Sequence, residues 1–70
     1  MRLLIFHSYT ATQVCSLPKL TGPCMARFIR WHYDMRSSEC KMFTYGGCQG
    51  NANNFESKAA CLKKCSGRSS

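Results

Sequence analysis

Six cysteines confined to residues 15–65 constrain this chain more than any other feature. They stand at Cys15, Cys24, Cys40, Cys48, Cys61 and Cys65, separated by 8, 15, 7, 12 and 3 residues. A chain of 70 residues allows one domain. It buries only about 60% of the surface its unfolded form exposes, so burial and chain entropy nearly cancel and covalent cross-links are expected. Thiols at this density are kept reduced by cytosolic glutathione, which assigns the folded form to a secreted, extracellular setting. Metal binding is the other use of clustered cysteines. Here no pair has the C-x2-C spacing, and neither His7 nor His32 lies at zinc-finger distance, so no metal or other cofactor is expected.

The cysteine-bearing segment divides into recognisable elements. Arg27–Asp34 is rich in aromatic and branched residues and reads as a strand. Ile29, Trp31 and Tyr33 share one face and are expected to cover a small core, with Phe28, Arg30 and His32 on the other. Residues 34–39 supply turn chemistry, and Lys41–Tyr45 is a second β-prone run, so the two form a hairpin. Ser57 caps a helix over Lys58–Cys65, Lys63 and Lys64 sit at its negative dipole end, and Gly67 is its stop. Cys61 and Cys65, four apart, share one helix face and can pin it to two parts of the chain. The chain is thus small, disulfide-rich and α+β.

The ends carry no such marks. Residues 1–14 lack cysteine, glycine and proline and read as a tail or incomplete leader, whose apolar run stops after Leu3–Phe6, short of the ~7 to 15 residues of a signal core. Residues 66–70 read as a frayed C-terminal tail. No stretch reaches the ~20 apolar residues of a membrane span.

Counting alone leaves fifteen pairings of six cysteines open. The spacing, however, resembles the Kunitz (pancreatic trypsin inhibitor type) family at every interval, together with Thr21, Gly22 and Pro23 before Cys24, Phe43 to Gly47 before Cys48, and Asn53, Asn54 and Phe55 before Cys61. The resemblance spans residues 15–65. It implies the bridges Cys15–Cys65, Cys24–Cys48 and Cys40–Cys61, and a twisted two-stranded hairpin with a C-terminal helix. The first bridge closes a loop of about fifty residues, worth around 4 kcal/mol in the chain-entropy model. The second joins two loops and is expected to be the most exposed and reducible.

The resemblance also implies a function. Gly22, Pro23, Cys24, Met25, Ala26, Arg27 and Phe28 would form an extended loop that occupies a serine endopeptidase as a substrate does, with the reactive bond between Met25 and Ala26. Tyr45, Gly46, Gly47 and Cys48 would form a second loop packed beneath it. Trypsin-like pockets end in a carboxylate that a thioether leaves unpaired. Met25 instead suits the apolar pockets of chymotrypsin- or elastase-like enzymes, so the expected partner is a serine protease of hydrophobic primary specificity, bound by a monomer. Asn53 is expected to be buried against backbone groups, and Phe43, Phe55, Tyr33 and Trp31 to form the core. Enzymatic activity is not expected, since the bridges take every cysteine and no Ser-His-Asp set can be assembled from two histidines.

Two positions depart from the family pattern. Ser38 stands in the hairpin turn where many relatives use Gly or Asn, so a positive φ there is strained. Ala60 replaces the acidic residue of a capping box, leaving Ser57 to cap alone.

The net charge of +7 supports an alternative function, a cationic non-inhibitory binding module on the same scaffold. Its partners would be an anionic polysaccharide (glycosaminoglycan), a membrane surface or an ion channel. The basic residues are scattered apart from Lys63 and Lys64, and no nucleic-acid recognition motif is present.

Overall fold

The computed structural model describes residues 11–66. Residues 1–10 of the expected 1–14 tail or leader, the Gly67 helix stop and residues 67–70 of the expected C-terminal tail lie outside the described residues. Four elements follow in order: α1 (Ala11–Cys15), β1 (Phe28–Asp34), β2 (Glu39–Tyr45) and α2 (Lys58–Cys65). The strands pair antiparallel, from Phe28 opposite Tyr45 at one end to Asp34 opposite Glu39 at the other. The turn between them is held by the Asp34 carboxylate, which accepts from the Arg36 N–H at 2.9 Å and pairs with Lys41 Nζ at 3.2 Å. Ser38 adopts φ +56°, the left-handed geometry foreseen for this turn. A residue with a Cβ bears a cost of roughly 1–2 kcal/mol there.

Three disulfides connect Cys15 to Cys65, Cys24 to Cys48 and Cys40 to Cys61, with Cα separations of 5.7, 5.7 and 6.2 Å. Helix α2 starts where the sequence indicates, with Ser57 Oγ accepting from the Ala60 N–H at 3.0 Å and no acidic residue in the first turn. Cys61 is fully buried, and through it and Cys65 the helix is bonded to β2 and to α1. Two cross-links on one face substitute for the broad apolar stripe that an eight-residue helix cannot supply.

The core differs in one respect from the strand alternation. Ile29, expected on the buried face of β1, is 59% exposed, whereas His32, expected on the opposite face, is buried. Trp31 and Tyr33 are half-buried. Buried side chains lie on both faces of the sheet. On the Trp31–Tyr33 side, Cys40 opposite Tyr33 carries the bridge to α2. On the other, the His32 ring meets Phe43 edge-on at 5.5 Å between centroids. Burial on both faces removes the one-sided pattern on which a period-2 reading depends. Phe43 is buried as expected, and Phe55 is half-buried with backbone bonds of 2.8 Å in both directions to Trp31.

Asn53 has no exposed surface. Its Oδ1 accepts from the Tyr33 N–H at 2.8 Å, and its Nδ2 donates to the carbonyls of Leu17 at 2.8 Å and Tyr33 at 3.0 Å. One amide side chain thus ties the strand to the N-terminal segment. Val14, placed by the sequence in the tail, is buried and belongs to α1. Nothing in a lone valine among polar residues separates that role from an ordinary tail position.

Candidate functional site

Phe28 and Tyr45 close the hairpin at the end away from its turn, and the segments flanking them form two adjacent loops. Residues 21–27 carry no regular structure, which leaves their backbone groups to be satisfied by the neighbouring loop. Ala26 N–H donates to the Gly46 carbonyl at 3.0 Å, and Gly46 N–H donates to the Thr21 carbonyl at 2.8 Å. Thr21 Oγ1 donates to the Thr44 carbonyl at 2.9 Å. The Cys24–Cys48 bridge adds a covalent link between these backbone bonds. Pro23 fixes its own φ immediately before it.

Glycines make this approach feasible. A Cβ on Gly46 would collide with the carbonyl oxygen of Cys24 and come within 3.0 Å of the Thr21 oxygen. Gly22 adopts φ +80°, and a Cβ there would collide with the Cys48 carbonyl oxygen. At both positions the obstacle is backbone and not a flexible side chain, so a Cβ could be accommodated only by separating the two loops.

Below the loops lies an aromatic and cationic stack. The Arg30 guanidinium stands 5.6 Å from the Phe28 ring centroid and 5.2 Å from that of Tyr45. Its Nη1 donates to Asn54 Oδ1 at 3.1 Å. Arg30 read in sequence as one more surface charge. The signal was available, because Phe28 lies two residues before it on the same strand face and Tyr45 is the cross-strand partner of Phe28. Sequence reasoning likewise gave no role to Thr44 or Asn54.

Met25 stands clear of this framework, with 89% of its surface exposed. A large apolar side chain is held in water while the backbone on both sides is anchored, by the disulfide at Cys24 and by the hydrogen bond at Ala26. Cys24, Ala26 and Arg27 are also exposed, and Phe28 is 48% exposed. Cys24–Cys48 is the most exposed of the three bridges, as expected, since Cys15, Cys40 and Cys61 are all buried. All seven residues assigned to the first loop and all four assigned to the second are therefore contiguous in space, around Cys24–Cys48.

The sequence profile of the Kunitz/Bovine pancreatic trypsin inhibitor domain matches residues 14–66. The chain belongs to the Kunitz family. The Kunitz-type serine protease inhibitor bitisilin-2 of Bitis gabonica is 65% identical over 51 residues, 73% of this chain and 57% of that protein. U-actitoxin-Avd3h of Anemonia viridis is 52% identical over 62 residues, 89% of this chain and 76% of that protein. The solved structure of calcicludine matches with a TM-score of 0.76 at 34% identity, over 79% of this chain and 92% of that one. The match to bitisilin-2 thus spans little more than half of that relative's length. The two-stranded sheet, C-terminal helix and three disulfides described above are the Kunitz fold.

Proposed function

We propose that this Kunitz domain is a secreted, reversible, substrate-like inhibitor of serine endopeptidases that presents Met25 to an apolar primary pocket, with Met25–Ala26 as the reactive bond. The observation that carries the reading is the 89% exposure of Met25 between two anchored neighbours. Similarity to the Kunitz-type serine protease inhibitor bitisilin-2 supports protease inhibition as the general activity.

The mechanism follows from the anchoring. A loop held in its bound shape before encounter loses little entropy on docking, so even an interface of about 1,600 Å² can bind tightly. After attack on the Met25 carbonyl, the Ala26 amine stays tethered to the Gly46 carbonyl, and the Met25 side of the cut bond stays attached through Cys24 to Cys48. The amine and acyl carbonyl remain neighbours, so religation outruns hydrolysis and the complex persists. Arg27 and Phe28 add contacts on the leaving-group side, Arg27 favouring an acidic rim. The role of Met25 is tested by prolonged incubation with catalytic amounts of chymotrypsin, followed by N-terminal sequencing. A new N-terminus at Ala26, in equilibrium with intact chain, supports the assignment, and cleavage only elsewhere contradicts it.

The net charge of +7 favours a second reading, a cationic surface-binding module that makes no use of the loop. In that case binding falls steeply with salt and Met25 substitutions leave it unchanged.

A further inference from the structure

A concavity of about 200 Å³ opens at the turn end of the hairpin, at the other end of the ladder from Met25. Its walls come from the segment after α1, including Leu17, Pro18 and Lys19, and from the end of β1 and the turn, including His32, Asp34 and Arg36. It contributes nothing to the loop chemistry described above.

The charges in it are arranged unequally. The Asp34 carboxylate is occupied by Lys41 Nζ at 3.2 Å and by the Arg36 backbone N–H at 2.9 Å. Among the described residues, Lys19 and Arg36 have no carboxylate partner. His32 is only 8% exposed, and its ring packs edge-on against Phe43 while also lining the cavity. A buried imidazole therefore lies in a wall that also carries two uncompensated cations. A neutral or cationic occupant leaves Lys19 and Arg36 unmatched, whereas the guanidinium fork and the ammonium suit an anion with several oxygens.

We infer that this cavity is a binding site for a tetrahedral oxyanion, a sulfate or phosphate group either free or as a monoester on a sugar, held by Lys19 and Arg36 with His32 as its proton-dependent third contact. The groups facing His32 are Lys19 on the preceding segment, Lys41 opposite it on β2, and Asp34 two residues on. Burial first, and then the Lys19 charge, keep the imidazole neutral below its ordinary pKa of 6.5, opposed by a hydrogen bond to the Tyr33 backbone and then by Asp34. An anion in the cavity cancels the Lys19 repulsion and favours the imidazolium. Anion and proton thus bind with positive coupling, and the coupling is reciprocal.

The test is an NMR titration of the full oxidised chain with sodium sulfate, and separately with a heparin-derived sulfated disaccharide, at pH 5 and 7.5 with sodium chloride holding ionic strength constant. Saturable shifts confined to Lys19, His32 and Arg36 are expected, with affinity about tenfold higher at pH 5 and an equivalent rise in the His32 pKa at saturation. The double variant Lys19→Ala, Arg36→Ala keeps the Arg36 backbone bond to Asp34 and should lose the effect. In His32→Phe, weak binding should remain but without pH dependence. Tighter binding of the disaccharide supports the site as one for a sugar-borne group, and equal binding supports it as one for the free ion. Shifts spread over Lys58, Lys63 and Lys64, an unmoved His32 pKa, or wild-type binding by the double variant overturns the proposal.

Discussion

The Ala26 N–H donates to the Gly46 carbonyl at 3.0 Å, so the residue that follows Met25 is fixed to the loop beneath rather than left to water. Gly46 can occupy that place only because it lacks a Cβ, which would meet the carbonyl oxygen of Cys24. Replacing Gly46 with Ala is expected to push the two loops apart. The anticipated cost is about 1–3 kcal/mol of stability, as for other overpacked sites, with inhibition weakened at least tenfold. Calorimetry and inhibition constants check this, and a variant as stable and potent as the wild type contradicts the packing account.

The exposed bridge separates folding from function. Cys24 is exposed and Cys48 half-exposed, whereas the other two bridges each include a buried sulfur. Mild reductant should open Cys24–Cys48 first, as mapped by alkylation and mass spectrometry, leaving the circular dichroism spectrum native. Inhibition by this two-disulfide form should fall by an order of magnitude or more because the loop loses its preorganisation. Full potency after confirmed opening would show that the clamp has no part in binding.

Much of this arrangement was legible in the sequence, for reasons that can be named. Cysteine spacing carried the resemblance from which the bridges and both loops followed, and Ser57 is a place where local chemistry leaves little choice. Ser38 in the turn was legible for the same reason, and the structure puts it at φ +56°. What escaped was burial on both faces of the sheet. His32 and Ile29 exchanged roles because the cross-strand contact to Phe43, not alternation, decides which side chain is enclosed. Val14 was missed because a lone valine among polar residues carries no burial signal, and the Arg30 stack because it depends on the hairpin register that sets Tyr45 opposite Phe28.

His32 links stability to acid. Its pKa is lowered by burial and by Lys19, so the unfolded chain takes up a proton near pH 6.5 that the folded chain resists. Stability is therefore complete above pH 6.5 and declines as pH falls through the lower folded value. Asp34, lowered chiefly by the Arg36 N–H and the Lys41 hydrogen bond, adds a further loss below its ordinary 3.8. Urea melts from pH 8 to 3 should show both declines, and His32→Phe should abolish the one nearer neutrality. A wild-type profile flat between pH 7 and 4 contradicts this.

Met25 carries a thioether that is 89% exposed. Hydrogen peroxide converts it to the sulfoxide, placing a polar oxygen where the target pocket is apolar. Oxidation confirmed at Met25 should weaken inhibition at least tenfold, and Met25→Leu should inhibit equally before and after peroxide. Met35 and Met42, also exposed, oxidise in both proteins and serve as the internal control. Unchanged potency of the Met25 sulfoxide argues against this residue entering the pocket.

The central claim, that Met25 is read by the primary pocket of a serine endopeptidase, is tested most directly by inhibition constants. The oxidised three-disulfide chain and Met25→Lys should be measured side by side against chymotrypsin, neutrophil elastase, cathepsin G and trypsin. The account predicts tight inhibition of at least one enzyme of hydrophobic specificity by the wild type, and a switch to trypsin in the Lys variant. A wild type that inhibits none of them, beside a Lys variant that inhibits trypsin, would contradict it by showing a competent scaffold whose natural loop is not aimed at these enzymes.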